Sequence, residues 1–247
     1  MKQLIAIVLV VVGVIGAAVM FGKDKAAVGN ASNYIYGKTD STVKIVEFGD
    51  FECPACGAFF PIISEVKETY KDRISFQFRH FPLVQSHQNA LAAHRAAEAA
   101  GKQGKFWEMH DKLYINQETW NGPSQTDPVG VNIEAATKQF ESFATELSLN
   151  LDQFRTDVAA EETLAIINKD TEDGKSQYQV SGTPTIIFNG KKVDDLSTIN
   201  TVEKFSAVID EALKEAANTA GSVEIQTDPE TPTETPEATK PETVDGQ

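Results

Sequence analysis

Cys53-Pro54-Ala55-Cys56 holds the only two thiols of this 247-residue chain, three positions apart. Such a pair serves three kinds of chemistry. A structural zinc site wants four ligands, often as two such pairs or with histidines. The histidines, His80, His87, His94 and His110, lie elsewhere, although His87 and His94 are spaced to share one face of a helix. A passive disulfide would close a loop too short to confine the unfolded chain much. A redox-active pair suits the placement best, provided Cys53 stands where a strand hands over to a helix. There its thiolate meets the positive end of the helix dipole and free amide donors, which lowers the pKa and favours the attacking species. Cys56, one turn on and more buried, then resolves a mixed disulfide.

The flanking sequence provides that junction. Residues 43–49, VKIVEFG, are apolar and β-branched and predict a buried strand. From Pro54 to Tyr70 the apolar residues Phe59, Ile62, Ile63, Val66 and Tyr70 recur at helical spacing, with Pro54 in the first turn and Pro61 set to kink the helix. Residues 74–81 alternate as a second strand. A helical block follows: 86–101 with Ser86 as cap, a short amphipathic helix with Phe106, Trp107, His110 and Leu113 on one side, a loop at 121–130, then 132–147 and a broken 151–178. Residues 185–193 predict two short strands about an Asn-Gly turn. A last helix at 201–217 turns Val202, Phe205, Val208, Ile209 and Leu213 inward. The order is β-α-β, helices, then β-β-α.

A second motif, SGTPT at 181–185, stands just before the returning strand. A proline at a strand start need not break the ladder. A cis Thr183–Pro184 bond would bring the Thr183 backbone near the cysteines; an ordinary trans turn is the alternative. Taken together, VKIVEFGDFECPAC, RHFPL, GKFWEMH and VSGTPTIIFNG resemble the DsbA-like branch of the thioredoxin superfamily, over roughly residues 35–217. The resemblance implies an α/β thioredoxin fold, βαβ plus ββα, with an all-helical subdomain inserted between the halves. It also implies Cys53 as nucleophile, Cys56 as resolving thiol, Pro184 as cis-proline, and Thr183 pairing its backbone with bound peptide.

Glu47, six residues before Cys53, matches a position where the superfamily keeps a buried acid. Buried there it would have a raised pKa and would relay the Cys56 proton; at a strand edge it would simply face solvent. Asp50 and Glu52 are expected to be exposed and to oppose thiolate formation. Pro61 matches the kinking proline of the superfamily. One departure concerns Ala55: strongly oxidising relatives often carry His between the cysteines, and alanine gives the thiolate neither donor nor charge.

The two ends differ from the middle. Residues 4–21 are uncharged and apolar and would reach about 27 Å as a helix, roughly one bilayer core. A signal peptide usually has a shorter apolar stretch, which favours an uncleaved anchor. Beyond residue 221 the chain is rich in Pro, Thr and Glu with no aromatic residue, as expected of a solvated tail. Seven acids and one lysine there supply six of the fourteen net negative charges. An acidic chain with no basic run argues against nucleic acid. The expected organisation is 1–22 transmembrane anchor or signal, 23–33 linker, 34–85 first half of the thioredoxin fold, 86–178 inserted helices, 179–220 second half, and 221–247 disordered tail. The expected function is an extracytoplasmic, single-pass thiol–disulfide oxidoreductase that makes disulfides in exported proteins. No bound cofactor is needed, and a membrane quinone-linked oxidase would reoxidise the pair. A reductase or isomerase, or a tethered binding module with incidental cysteines, are the alternatives.

Overall fold

The computed structural model describes residues 30–121 and 133–223, with side chains through residue 219. The anchor or signal at 1–22, most of the 23–33 linker, most of the 121–130 loop and the tail beyond 223 lie outside the described residues. Among the described residues no helix is long and apolar enough to cross a membrane.

The elements run β1 (Ile35–Gly37), β2 (Lys44–Gly49), α1 (Pro54–Tyr70), β3 (Ser75–His80), α2 (Ala90–Gly101), α3 (Phe106–Ile115), α4 (Gln117–Trp120), α5 (Ile133–Glu146), α6 (Leu151–Ala159), α7 (Glu161–Tyr178), β4 (Thr185–Phe188), β5 (Lys191–Lys192) and α8 (Val202–Val223). They form a mixed α/β fold on one five-stranded sheet, ordered β1-β3-β2-β4-β5. β2 and β3 run parallel, joined by α1, and the other pairs are antiparallel. β1 escaped the sequence reading because three residues are too few to show alternation. Asn189 and Gly190 both have positive φ, as a two-residue hairpin turn requires, and join β4 to β5.

Successive strand residues point to opposite faces of the sheet. Ile45, Phe76 and Ile186 face α1 and α8, where they pack with Phe59, Ile63, Val66, Phe205 and Ile209. Phe48 and Ile187 face the other way, against Phe81, Val180 and Tyr178. Glu47 lies two residues after Ile45, so the pleat turns it toward α1 as well. Arg79 of β3 pins α7 to the sheet through Asp170 (2.5 Å) and Asp173 (2.9 Å).

Two expectations need correction, and a third gains its position. The helix expected from Ser86 begins at Ala90, because the amides of Ser86 and His87 both bond back to the Leu83 carbonyl as a turn. The break expected within 151–178 falls at Ala160, whose ψ of 138° separates α6 from α7. Val208 does not face inward and is 37% exposed: Phe205 and Ile209, one turn apart, define the buried stripe of α8, and Val208 falls beside it.

Candidate active site

β2 ends at Gly49, and residues 50–53 turn the chain into α1. Cys53 is the residue before the helix, in extended conformation, and Pro54 fills the first helical position, where no amide donor is needed. Phe51 fixes this turn. Its ring stacks on Phe78 at 4.8 Å and touches His94, His110 and Tyr114. Burying a phenylalanine is worth ~1.5–3 kcal/mol, more than the ~1 kcal/mol of an ordinary hydrogen bond, so Phe51 is the main anchor of the loop. Gln117 of α4 adds a clamp: its amide donates to the carbonyls of Phe51 (2.7 Å) and Cys53 (3.0 Å).

Both cysteines are free thiols. Cys53 is 6% exposed and Cys56 fully buried. The Cys53 thiol is pulled down to about 5. The hydrogen bond donated by the Cys56 thiol is the largest cause; burial opposes it, and the Thr183 hydroxyl and the amides of Cys56 and Ala55 assist. Cys56 moves well above its ordinary value, through burial first, then its bond to Cys53 and the nearby Glu47 carboxyl. The two thiols therefore differ by environment: the outer one is ionised at neutral pH and the inner one keeps its proton.

The second motif meets the first across 130 residues. The Thr183–Pro184 peptide is cis, and the Thr183 carbonyl oxygen stands 3.5 Å from Cys53 Sγ. Glu47 is 2% exposed, not at a solvent-facing edge. Burial pushes its carboxyl up to about 8, against the pull of Lys67, so it is largely protonated at neutral pH. Lys67 is itself buried between the rings of Tyr36 and Trp107, both 4.8 Å away, and pairs with Asp111 at 3.0 Å.

Asp50 and Glu52 overturn the expectation of exposure, at 0% and 5%. The inserted helices lie over the active-site loop and take both side chains into the seam. Asp50 accepts from the Glu52 and Leu83 amides, both at 2.9 Å, and from His87 Nδ1 at 2.7 Å. Burial raises its pKa, but the hydrogen bonds from His87 and the Leu83 amide, with His94 3.7 Å away, outweigh that and hold it well below the carboxylate range. Glu52 reaches the Asn89 and Ala90 amides at the start of α2, yet burial leaves its carboxyl raised. His87 and His94 thus do not share a helix; His87 sits in the turn before α2, and the two converge on Asp50. Among the described residues no group of three or more His, Cys, Asp or Glu is arranged to hold a metal ion.

Gln117, His87 and Tyr114 were missed as neighbours of the cysteines. No local pattern marks them, since each comes from the helical insertion or the turn that enters it.

A family profile described as Thioredoxin matches residues 30–211. A probable disulfide bond formation protein D of Bacillus cereus is 31% identical over 195 residues, covering 74% of this chain and 83% of its own. The chain belongs to the DsbA-like branch of the thioredoxin family. Among solved structures, this thioredoxin-family chain is similar to oxidised BdbD from Bacillus subtilis, with a TM-score of 0.60 and 22% identity over 75% of this chain and 97% of that one. A Na(+)/H(+) antiporter NhaA 1 from Salinispora arenicola also contains a similar stretch, 37% identical over 160 residues. The chain spans only 22% of that antiporter's length.

Proposed function

We propose that this thioredoxin-family protein is an extracytoplasmic thiol–disulfide oxidoreductase that makes disulfides in exported proteins, tethered by residues 4–21. The observation that carries the reading is the asymmetry of the pair: an outer cysteine pulled down to about 5, beside the Thr183 carbonyl, and an inner one held protonated.

In the oxidised enzyme Cys53 and Cys56 share a disulfide. A substrate thiolate attacks Cys53 Sγ, so a substrate–Cys53 bond forms as the Cys53–Cys56 bond breaks. Cys56 leaves with the electron pair and takes a proton, which the protonated Glu47 supplies. A second substrate thiolate then attacks the substrate sulfur of the mixed disulfide. The substrate disulfide forms, and Cys53 leaves as a thiolate. Two electrons pass from substrate to enzyme; of the two substrate protons, one balances that held by Cys56 and the other goes to solvent. The low pKa makes Cys53 a good leaving group, which drives this direction. Pro54 and Ala55 set the turn, and Thr183 and Pro184 offer an extended edge to the unfolded chain. A membrane quinone-linked thiol oxidase would withdraw the two electrons and restore the disulfide.

The equilibrium potential of the Cys53/Cys56 couple in glutathione buffers tests the direction. A value near about −120 mV supports an oxidase, and one well below about −220 mV makes the protein a reductase. Replacing Cys53→Ser should abolish the cellular role; if the role survives, the protein is a tethered binding module.

A further inference from the structure

We propose that His87 is a positioning residue for the Cys53/Cys56 couple: held against the buried Asp50 carboxylate, its imidazolium offsets the negative charge beside the active-site loop and so sets how readily the pair is reduced. This rests on the redox reading above. It gives the chain, from a turn more than thirty residues away, the cation that Ala55 does not provide.

The geometry begins with Asp50. Its carbonyl accepts from the Cys53 amide at 3.1 Å, so the carboxylate is fixed relative to the nucleophile. The side chain is fully buried. A carboxylate taken out of water without a cation costs several kcal/mol, and the two amides bonded to it are dipoles, not charges. Among the described residues, only His87 and His94 lie near it as possible cations.

Distance and access to solvent decide between them. His94 is buried and its Nδ1 lies 2.6 Å from His80 Nδ1, while His80 Nε2 lies 2.7 Å from Glu98 Oε1. One ring must donate across the Nδ1–Nδ1 contact and the other accept. His94 Nε2 lies 3.7 Å from Asp50 Oδ1, beyond hydrogen-bond reach, whereas His87 Nδ1 stands 2.7 Å from Oδ2. Burial, with His80 nearby, pushes His94 down to about 4, in keeping with a neutral ring.

The charge facing Asp50 therefore falls to His87, which is 14% exposed and can exchange a proton with solvent. Its pKa is raised, by the Asp50 hydrogen bond first, with Cys53 and Glu52 adding to it against burial. Coupling of this kind is reciprocal. If a Cys53 thiolate favours the imidazolium, the imidazolium favours the thiolate by the same factor. The groups facing His87 are Asp50, Glu52 and Cys53 from the active-site loop, and His94 of α2 across Asp50. Loss of the imidazolium leaves Asp50 uncompensated, and Asp50 with Glu52 then disfavours the thiolate.

The test compares full-length wild type, His87→Gln and His87→Lys, by ultraviolet thiolate absorbance against pH and by equilibration with glutathione. In His87→Gln the Cys53 midpoint should rise and the equilibrium should move toward the disulfide by about tenfold, one pKa unit. The difference in equilibrium should be largest between the Cys53 midpoint and the His87 titration, and close as pH rises past the latter. His87→Lys should keep the low midpoint. An unchanged midpoint in His87→Gln overturns the inference, whatever happens to stability. So does a His87→Lys protein that titrates like His87→Gln. If wild type shows no couple with glutathione, the proposed function fails; the absorbance titration still reads the effect of His87 on Cys53.

Discussion

Replacing Glu47→Gln keeps the shape of the buried acid and removes its titration. Folding raises this carboxyl from 4.5 to about 8. A raised carboxyl contributes its full stability below the unfolded value and loses it as pH rises through the folded one. With ~1.36 kcal/mol per pKa unit, the wild type forgoes about 3 kcal/mol at pH 7 and about 5 kcal/mol above pH 8. Glutamine forgoes none of this. The stability gap between the variant and wild type should be near zero at acid pH, grow through neutrality and level off above about pH 8. Urea denaturation of the oxidised proteins at roughly pH 4, 7 and 8.5 measures it without thiol titration intruding. A gap that stays constant across that range, or a variant that is the less stable at the alkaline end, would refute the placement of a titrating acid beneath Cys56. The same variant should slow the exchange steps in which Cys56 gains or loses its proton. Stability gained with catalysis slowed is the expected signature of a buried relay.

Other outcomes follow from neighbouring contacts. Cys56→Ala removes the largest cause of the low Cys53 pKa, so the thiolate absorbance midpoint should move up from about 5; an unmoved midpoint would assign the shift to the helix amides instead. Because folding lowers this pKa from 9.0, its contribution to the reduced protein is greatest at alkaline pH and is lost as pH falls through about 5. A comparison of reduced and oxidised melting temperatures across that range checks the sign. Gln117→Ala strips a donor from two carbonyls of the active-site loop and should cost about 1–3 kcal/mol by chemical denaturation; no cost would mean that the loop is held by Phe51 alone. Among the described residues the buried Tyr114 hydroxyl has no hydrogen-bond partner, so Tyr114→Phe should be neutral or stabilising. A loss above about 1 kcal/mol would show the hydroxyl to be bonded.

Much of the fold was legible because its elements carry local signals. The run Lys44–Gly49 is apolar enough for a central strand, Phe59, Ile63, Val66 and Tyr70 keep helical spacing, and Asn189-Gly190 makes a tight hairpin. Boundaries were less secure. A turn closed on the Leu83 carbonyl delayed α2 to Ala90, and a three-residue strand on the sheet edge left no periodicity to read.

The sequence by itself determined where the cysteine pair stands, at a strand-to-helix junction, because that is a short-range pattern; Thr183-Pro184 was tied to it only through the family resemblance, since spacing left the bond open between cis and trans. Tertiary structure alone decided what surrounds the pair. Asp50 and Glu52 look like surface acids in sequence, and only the inserted helices laid over the loop bury them. Only that packing brings His87 onto Asp50 and Gln117 onto the loop carbonyls. The physical reason is that a charge's behaviour depends on the dielectric and the counter-charges around it. Those come from residues distant in the chain, which no local pattern encodes.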